Sequence, residues 1–181
     1  MKKLLTITAA ALAFTLAQAE EKTNLILNGN FDPDLPGWRK GVGISYETDE
    51  THGGMMVLRA TAEKDVKNEQ EIKRDPSWKK LRFTYWVNVP SITPGEAGFH
   101  RARFTVTALG PNYFKKDREA EEEKQAWYLV AGDWAAPTEG WVKVEKVLDI
   151  PEAVIVLRIG AGLFRSEGEL RIADLKVEAV E

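Results

Sequence analysis

The chain has 181 residues, of which 44% are hydrophobic and 29% charged, with a formal net charge of −3 and no cysteine. That length supports one domain with a substantial core, and the mildly acidic balance offers no electrostatic pull toward nucleic acid or an anionic membrane. Disulfides, iron–sulfur clusters, zinc–thiolate sites and a cysteine nucleophile are excluded together, so an exported domain of this composition depends on packing or on a metal.

The first element is an address. Lys2 and Lys3 precede an apolar run over 4–16 that only threonines interrupt, and Ala17 and Ala19 place small residues where a signal peptidase reads. This predicts a secretory leader over 1–19 and a single mature module over 20–181, exported to the periplasm or the extracellular space. The run is shorter than the roughly twenty apolar residues that a membrane span needs, so no membrane insertion is expected.

Short β-type runs separated by turn residues then follow, at 24–27, 55–61, 69–73, 81–89, 102–109, 127–130, 141–148, 154–159 and 170–177. Asn28-Gly29-Asn30, Gly53-Gly54, Pro90 and Gly110-Pro111 punctuate them. No βαβ rhythm occurs. The spacing predicts an all-β fold, a jelly-roll β-sandwich of two antiparallel sheets. The charge-dense stretch 115–125 reads as a solvated helix within a loop, either a surface excursion or a flap beside a groove.

Alternation sorts the side chains of the strongest runs. Leu81, Phe83, Tyr85, Val87 and Val89 form a core face, leaving Arg82, Thr84, Trp86 and Asn88 on the other. In the next run Ala102, Phe104, Val106 and Ala108 point inward, with Arg101, Arg103, Thr105 and Thr107 outward. If the two runs share a sheet, Arg and Thr surround Trp86. That grouping suits a sugar, whose C–H face stacks on an indole while its hydroxyls meet Arg and Asn. Trp86 is then the platform, with Arg82, Asn88 and Arg103 as polar contacts. Arg158 shares a parity with Gly160 and reaches the same groove. Trp127, Tyr128 and Trp134 lie around the loop after the charged stretch and divide between lining that groove and anchoring the loop, with Trp127 and Trp134 as secondary walls; Trp38 and Trp141 read as core pillars.

These residues resemble carbohydrate-binding modules of families 4, 9 and 22, with their galactose-binding-like jelly roll. The likeness rests on Asn28-Gly29-Asn30-Phe31-Asp32 followed by Pro36-Gly37-Trp38, on Thr51-His52-Gly53-Gly54, and on Phe83-Thr84-Tyr85-Trp86-Val87-Asn88. Gly140-Trp141-Val142 and Ile172-Ala173-Asp174-Leu175 extend it. It implies a concave sheet that holds a polysaccharide or oligosaccharide such as β-glucan or xylan. It also implies a structural calcium held by Asn30, Asp32, Gly54 and Asp174, with Ala173 standing where the family has the first of two aspartates. Calcium chemistry agrees with carboxylate and carbonyl oxygens.

The expected function is therefore carbohydrate binding without catalysis, free-standing or in association with a glycoside hydrolase system. The alternative is a structural or protein-interaction sandwich of the cell envelope that has lost sugar binding and contacts a protein partner. An enzyme is not expected: Asp133 and Glu139 lie near aromatics without a defined cleft, and His52 and His100 lack a Ser or Asp partner at a triad spacing.

Overall fold

A computed structural model describes residues 23–62, 64–115 and 125–180. The expected leader and nearly all of the charged excursion lie outside these residues. Nine strands are present among them: β1 (Ile44–Asp49), β2 (Gly53–Ala60), β3 (Val66–Lys73), β4 (Lys80–Thr93), β5 (Ala102–Leu109), β6 (Ala126–Trp134), β7 (Val142–Asp149), β8 (Val156–Leu163) and β9 (Glu167–Val180). They pair antiparallel into a five-stranded sheet ordered β1-β2-β9-β4-β7 and a four-stranded sheet ordered β3-β8-β5-β6. This is the jelly-roll sandwich expected from the spacing of the runs.

The core forms where the alternating apolar faces meet. Leu81, Phe83, Tyr85, Val87 and Val89 of β4 are fully buried against Ala102, Phe104, Val106 and Ala108 of β5 and Leu157 and Ile159 of β8. Tyr85 stacks on Phe104 at 4.5 Å, and Phe83 meets the same ring at 6.2 Å. Burying each such side chain stabilises the fold by about 1.5–3 kcal/mol. The Tyr85 hydroxyl donates to Ala131 O at 3.3 Å, and burial pushes its pKa far above the ordinary phenol value.

Two local expectations change. The stretch 24–27 is not a strand. Asn24 forms a side-chain clasp on the end of β9, accepting from Val177 N–H and donating to Leu175 O, after which Asn28 and Phe31 turn the chain with positive φ. Ile26 and Phe31 are thus core plugs carried by a loop. Conversely, β1 was hidden among polar residues. Its inward positions Ile44 and Tyr46 pack on the core, while Ser45 and Glu47 alternate outward and bond Arg59.

The N-terminal loop is fastened by two buried amides of the edge strand β3. Gln70 accepts from Leu27 N–H and donates to Leu27 O and Gly37 O. Asn68 accepts from Arg39 N–H and donates to Arg39 O. Each amide stands in for a peptide group, satisfying loop backbone that no strand reaches.

Candidate functional site

β4 lies in the five-stranded sheet and β5 in the four-stranded one, so Trp86, Arg82 and Asn88 do not share a face with Arg103 and Arg158. Nor is Trp86 an open platform. The turn after β1 folds across it and sets the His52 ring 4.6 Å from the indole, with Trp141 4.8 Å from His52 on its other side. Met55, Val57 and Ala173 complete this small outer cluster, so Trp141 is part of the cover and not a pillar of the main core. The turn is held by Asp49, whose carboxylate accepts from the backbone N–H groups of His52 and Thr51. Those two bonds hold the Asp49 carboxyl below its ordinary pKa. On the same face Arg82 is paired with Glu145 at 3.5 Å, and Asn88 stands opposite Arg171.

The other sheet carries a groove. Register places three rows of outward residues across β3, β8, β5 and β6. The first is Glu71, Arg158, Thr107 and Tyr128; the second is Glu69, Gly160, Thr105 and Val130; the third is Lys67, Gly162, Arg103 and Asp133. Gly160 and Gly162 stand in the second and third rows where a side chain has no room, Gly160 against the backbone of β3 and Gly162 beneath the Phe164 ring. Two adjoining depressions that share Lys67 and Glu69 follow, of about 490 Å³ and about 320 Å³. The larger is lined by Phe99, Arg103, Thr105, Thr107, Tyr128 and Phe164 among others, the smaller by Arg39, Glu71 and Arg158. Volumes of this size are typical of small-molecule sites.

Aromatic walls stand at both ends. Tyr128 is 75% exposed and Phe99 58% exposed. The Phe164 ring lies over Gly162, whose added Cβ would come within 2.9 Å of it. Phe99 is presented by a loop closed on itself, with Gly95 N–H donating to His100 O and His100 N–H to Ala97 O. Tyr113, from the 3₁₀ turn Pro111–Phe114, sits under Arg158 with 5.7 Å between guanidinium carbon and ring centre.

Trp127 and Trp134 face the other way. The β5–β6 register slips by one residue, with Val130 opposite Thr105 and Gly132 opposite Phe104. This bulge at Ala131 resets the alternation, so that Trp127 and Trp134 both pack against the core, Trp134 edge-on to Tyr85 at 6.4 Å. They are supports beneath the groove and not its walls.

The charged side chains of the groove are mostly paired. Arg158 meets Glu71 at 2.9 Å, Lys67 meets Glu69 at 3.0 Å, and Asp133 receives both Arg103 at 2.9 Å and Arg101 at 3.4 Å. Donating to the Glu71 carboxylate holds the Arg158 pKa above its ordinary value. The Nε atoms of Arg101 and Arg103 are buried without a hydrogen-bond partner, as is that of Arg82 on the far sheet.

The expected calcium ligands lie at a junction of three segments. An added Cβ on Gly54 would lie 2.2 Å from Asn30 O, and Leu175 N–H donates to Gly29 O at 2.8 Å. Asp174 occupies a β9 bulge at φ 50°, and its Oδ2 lies 3.2 Å from His52 Nδ1. Asp32 Oδ1 accepts from Asp34 N–H. Among the described residues no three His, Cys, Asp or Glu side chains gather as a metal cluster. Oxygens there beyond the two carboxylates would come from backbone and amide groups.

No protein-family model matches the sequence, and no curated protein matches it either. Solved structures do match in shape. A family 16 carbohydrate-binding module superposes with a TM-score of 0.57 at 16% identity, covering 87% of this chain and 100% of the module. The fold is the jelly roll of carbohydrate-binding modules. A second such module, the xylan-binding domain CBM22-1 of Paenibacillus barcinonensis Xyn10C, has a TM-score of 0.53 at 12% identity over 88% of this chain and 96% of its own. The enzymatically active domain of bacteriophage CBA120 tailspike protein 4 gives a TM-score of 0.56 at 12% identity, and the chain spans only 21% of its length.

Arg39, Lys67, Glu69, Glu71, Phe99 and Phe164 join the site without having been candidates from the sequence. The available signal was the Gly160-x-Gly162 spacing, which marks close approach of neighbouring backbone and rings to one strand. Of the expected residues, Arg103, Arg158 and Tyr128 are brought together here.

Proposed function

We propose that this protein binds a polysaccharide or oligosaccharide in the groove of the β3-β8-β5-β6 sheet and does not transform it. The observation that carries this reading is the aromatic-walled groove between Tyr128 at one end and Phe99 and Phe164 at the other. Exposed rings offer flat faces to the C–H side of a pyranose, while Thr105, Thr107, Arg103 and Arg158 offer hydrogen bonds to its hydroxyls. Glycoside hydrolysis needs a free acid and a second carboxylate across the bond. Glu69, Glu71 and Asp133 are each engaged by a cation instead. The carbohydrate-binding folds named above support the reading at the level of architecture.

Affinity electrophoresis through gels containing soluble glycans tests it. Wild type should be retarded by at least one glycan, and Tyr128→Ala and Phe164→Ala should each reduce that retardation. Equal mobility of all three proteins in every gel would refute the proposal.

Export to the periplasm or the extracellular space is a further proposal, supported by the leader-like pattern over 1–19. Amino-terminal sequencing of the mature protein should begin at Glu20. Calcium at the junction of Asn30, Asp32, Gly54 and Asp174 is a separate proposal, supported by the meeting of the three segments. Bound calcium would tie them through oxygen ligands and raise stability by mass action. Adding chelator should lower the melting temperature, and calcium should restore it; an unchanged melt would rule the ion out.

A further inference from the structure

We propose that the ligand of this groove is an acidic glycan, one bearing uronate carboxylates, and not a neutral one. This rests on the groove being the sugar site. The groove and its immediate partners hold Arg39, Lys67, Arg101, Arg103 and Arg158 against Glu69, Glu71 and Asp133, an excess of two cations. The chain as a whole carries −3, so the excess is local and runs against the overall charge.

The surplus is also placed where a ligand would meet it. At one end Arg39 lines the smaller depression, and its side chain has no ion pair among the described residues. Its backbone is clasped from both sides by the Asn68 amide, so the residue is held at this position by a dedicated contact. At the other end one carboxylate, Asp133, serves two guanidinium groups, Arg101 and Arg103. Arg103 commits Nη2 to that carboxylate, and its side chain stays 22% exposed where it lines the larger depression. A carboxylate fits a guanidinium fork better than a hydroxyl does.

Between the ends lie Thr105 and Val130, with Lys67 and Glu69 neutralising each other along the β3 side. The first and third rows are four residues apart along β8, or about 13 Å at the usual strand rise. That distance leaves room for more than one sugar ring between the two cationic ends. An acidic chain laid across the sheet would meet guanidinium groups at both ends and, between them, apolar or hydroxyl surface beside the self-neutralised Lys67–Glu69 pair.

The test compares polygalacturonate with the same polymer fully methyl-esterified, which keeps the backbone and removes the charge. Alginate is the second acidic probe, and xylan and β-glucan are the neutral ones. The acidic form of at least one probe should retard the protein about tenfold more strongly than its neutral counterparts, and added salt should weaken this. Arg39→Gln combined with Arg103→Gln should abolish the preference, whereas Lys143→Gln on the far sheet should leave it intact. Thermal melts of the variants establish that they are folded, and the esterified comparison on wild type needs no variant. Equal retention on esterified and acidic polymer, or retention on neutral glycans alone, would overturn the acidic ligand and leave sugar binding standing. No retention on any polymer, acidic or neutral, would overturn both.

Discussion

Tyr128 keeps three quarters of its surface in solvent while its neighbours Trp127 and Leu129 pack inward on the same strand. Its removal should therefore cost binding and not fold. Tyr128→Ala is expected to weaken glycan retention by several-fold, in line with a stacking contribution of about 0.5–1.5 kcal/mol, with a melting temperature close to wild type. Trp86→Ala should do the reverse. The indole is sandwiched under His52 and against Met55, Val57 and Ala173, so its loss should destabilise the protein by about 2 kcal/mol and leave glycan retention unchanged. Chemical denaturation read beside affinity electrophoresis separates the two outcomes. Which side of a strand each residue occupies was legible at this scale: the alternation of 81–89 and of 102–109, and the pairing of Arg158 with Gly160 on one face, are as the sequence implied. The cover over Trp86 was not, because it comes from a turn more than thirty residues away.

The elements show where local alternation stops being informative. Consecutive runs β4 and β5 alternate in the same way, yet they cross between sheets, and nothing in either run records which strand it will pair with. A one-residue bulge in β6 then reverses the parity after Ala131. The one local hint was Gly132, and its reason is steric: an added Cβ would lie 2.2 Å from the Trp134 ring and 2.4 Å from the Tyr85 hydroxyl. Gly132→Ala should thus cost about 1–3 kcal/mol through overpacking, measurable by urea denaturation. Arg74 is a second element-scale fastener. Buried to 8% exposure, it donates to Trp78 O, Glu152 O and Val154 O, joining the end of β3 to the turn before β8. Arg74→Met should lower stability by about 1–3 kcal/mol by leaving those carbonyls without donors.

For the whole molecule, composition and spacing already carried the fold class, because nine short alternating runs without cysteine leave few architectures that bury every apolar face. The location of the groove was not carried, since it depends on which of two outward surfaces receives the glycines and which receives a covering turn. Charge acts at this scale too. Glu47 is held below its ordinary pKa first by the Arg59 guanidinium and then by Ser45, Asp49 by backbone N–H groups, and Asp75 by Ser77. A carboxyl with a lowered folded pKa stabilises the fold above its unfolded value and loses that contribution as pH falls through the folded value. With ordinary values of 4.5 for Glu and 3.8 for Asp, stability contributed by these groups should be constant from neutral pH to about pH 5 and decline in more acid solution. Thermal melts between pH 7 and pH 3 check the sign; a rise in stability below pH 4 would contradict it.

Gly160 and Gly162 also act as spacers. A Cβ at Gly160 would press on the backbone of β3 and one at Gly162 on the Phe164 ring, so a substitution at either would reshape the groove from beneath without changing a single residue of its lining.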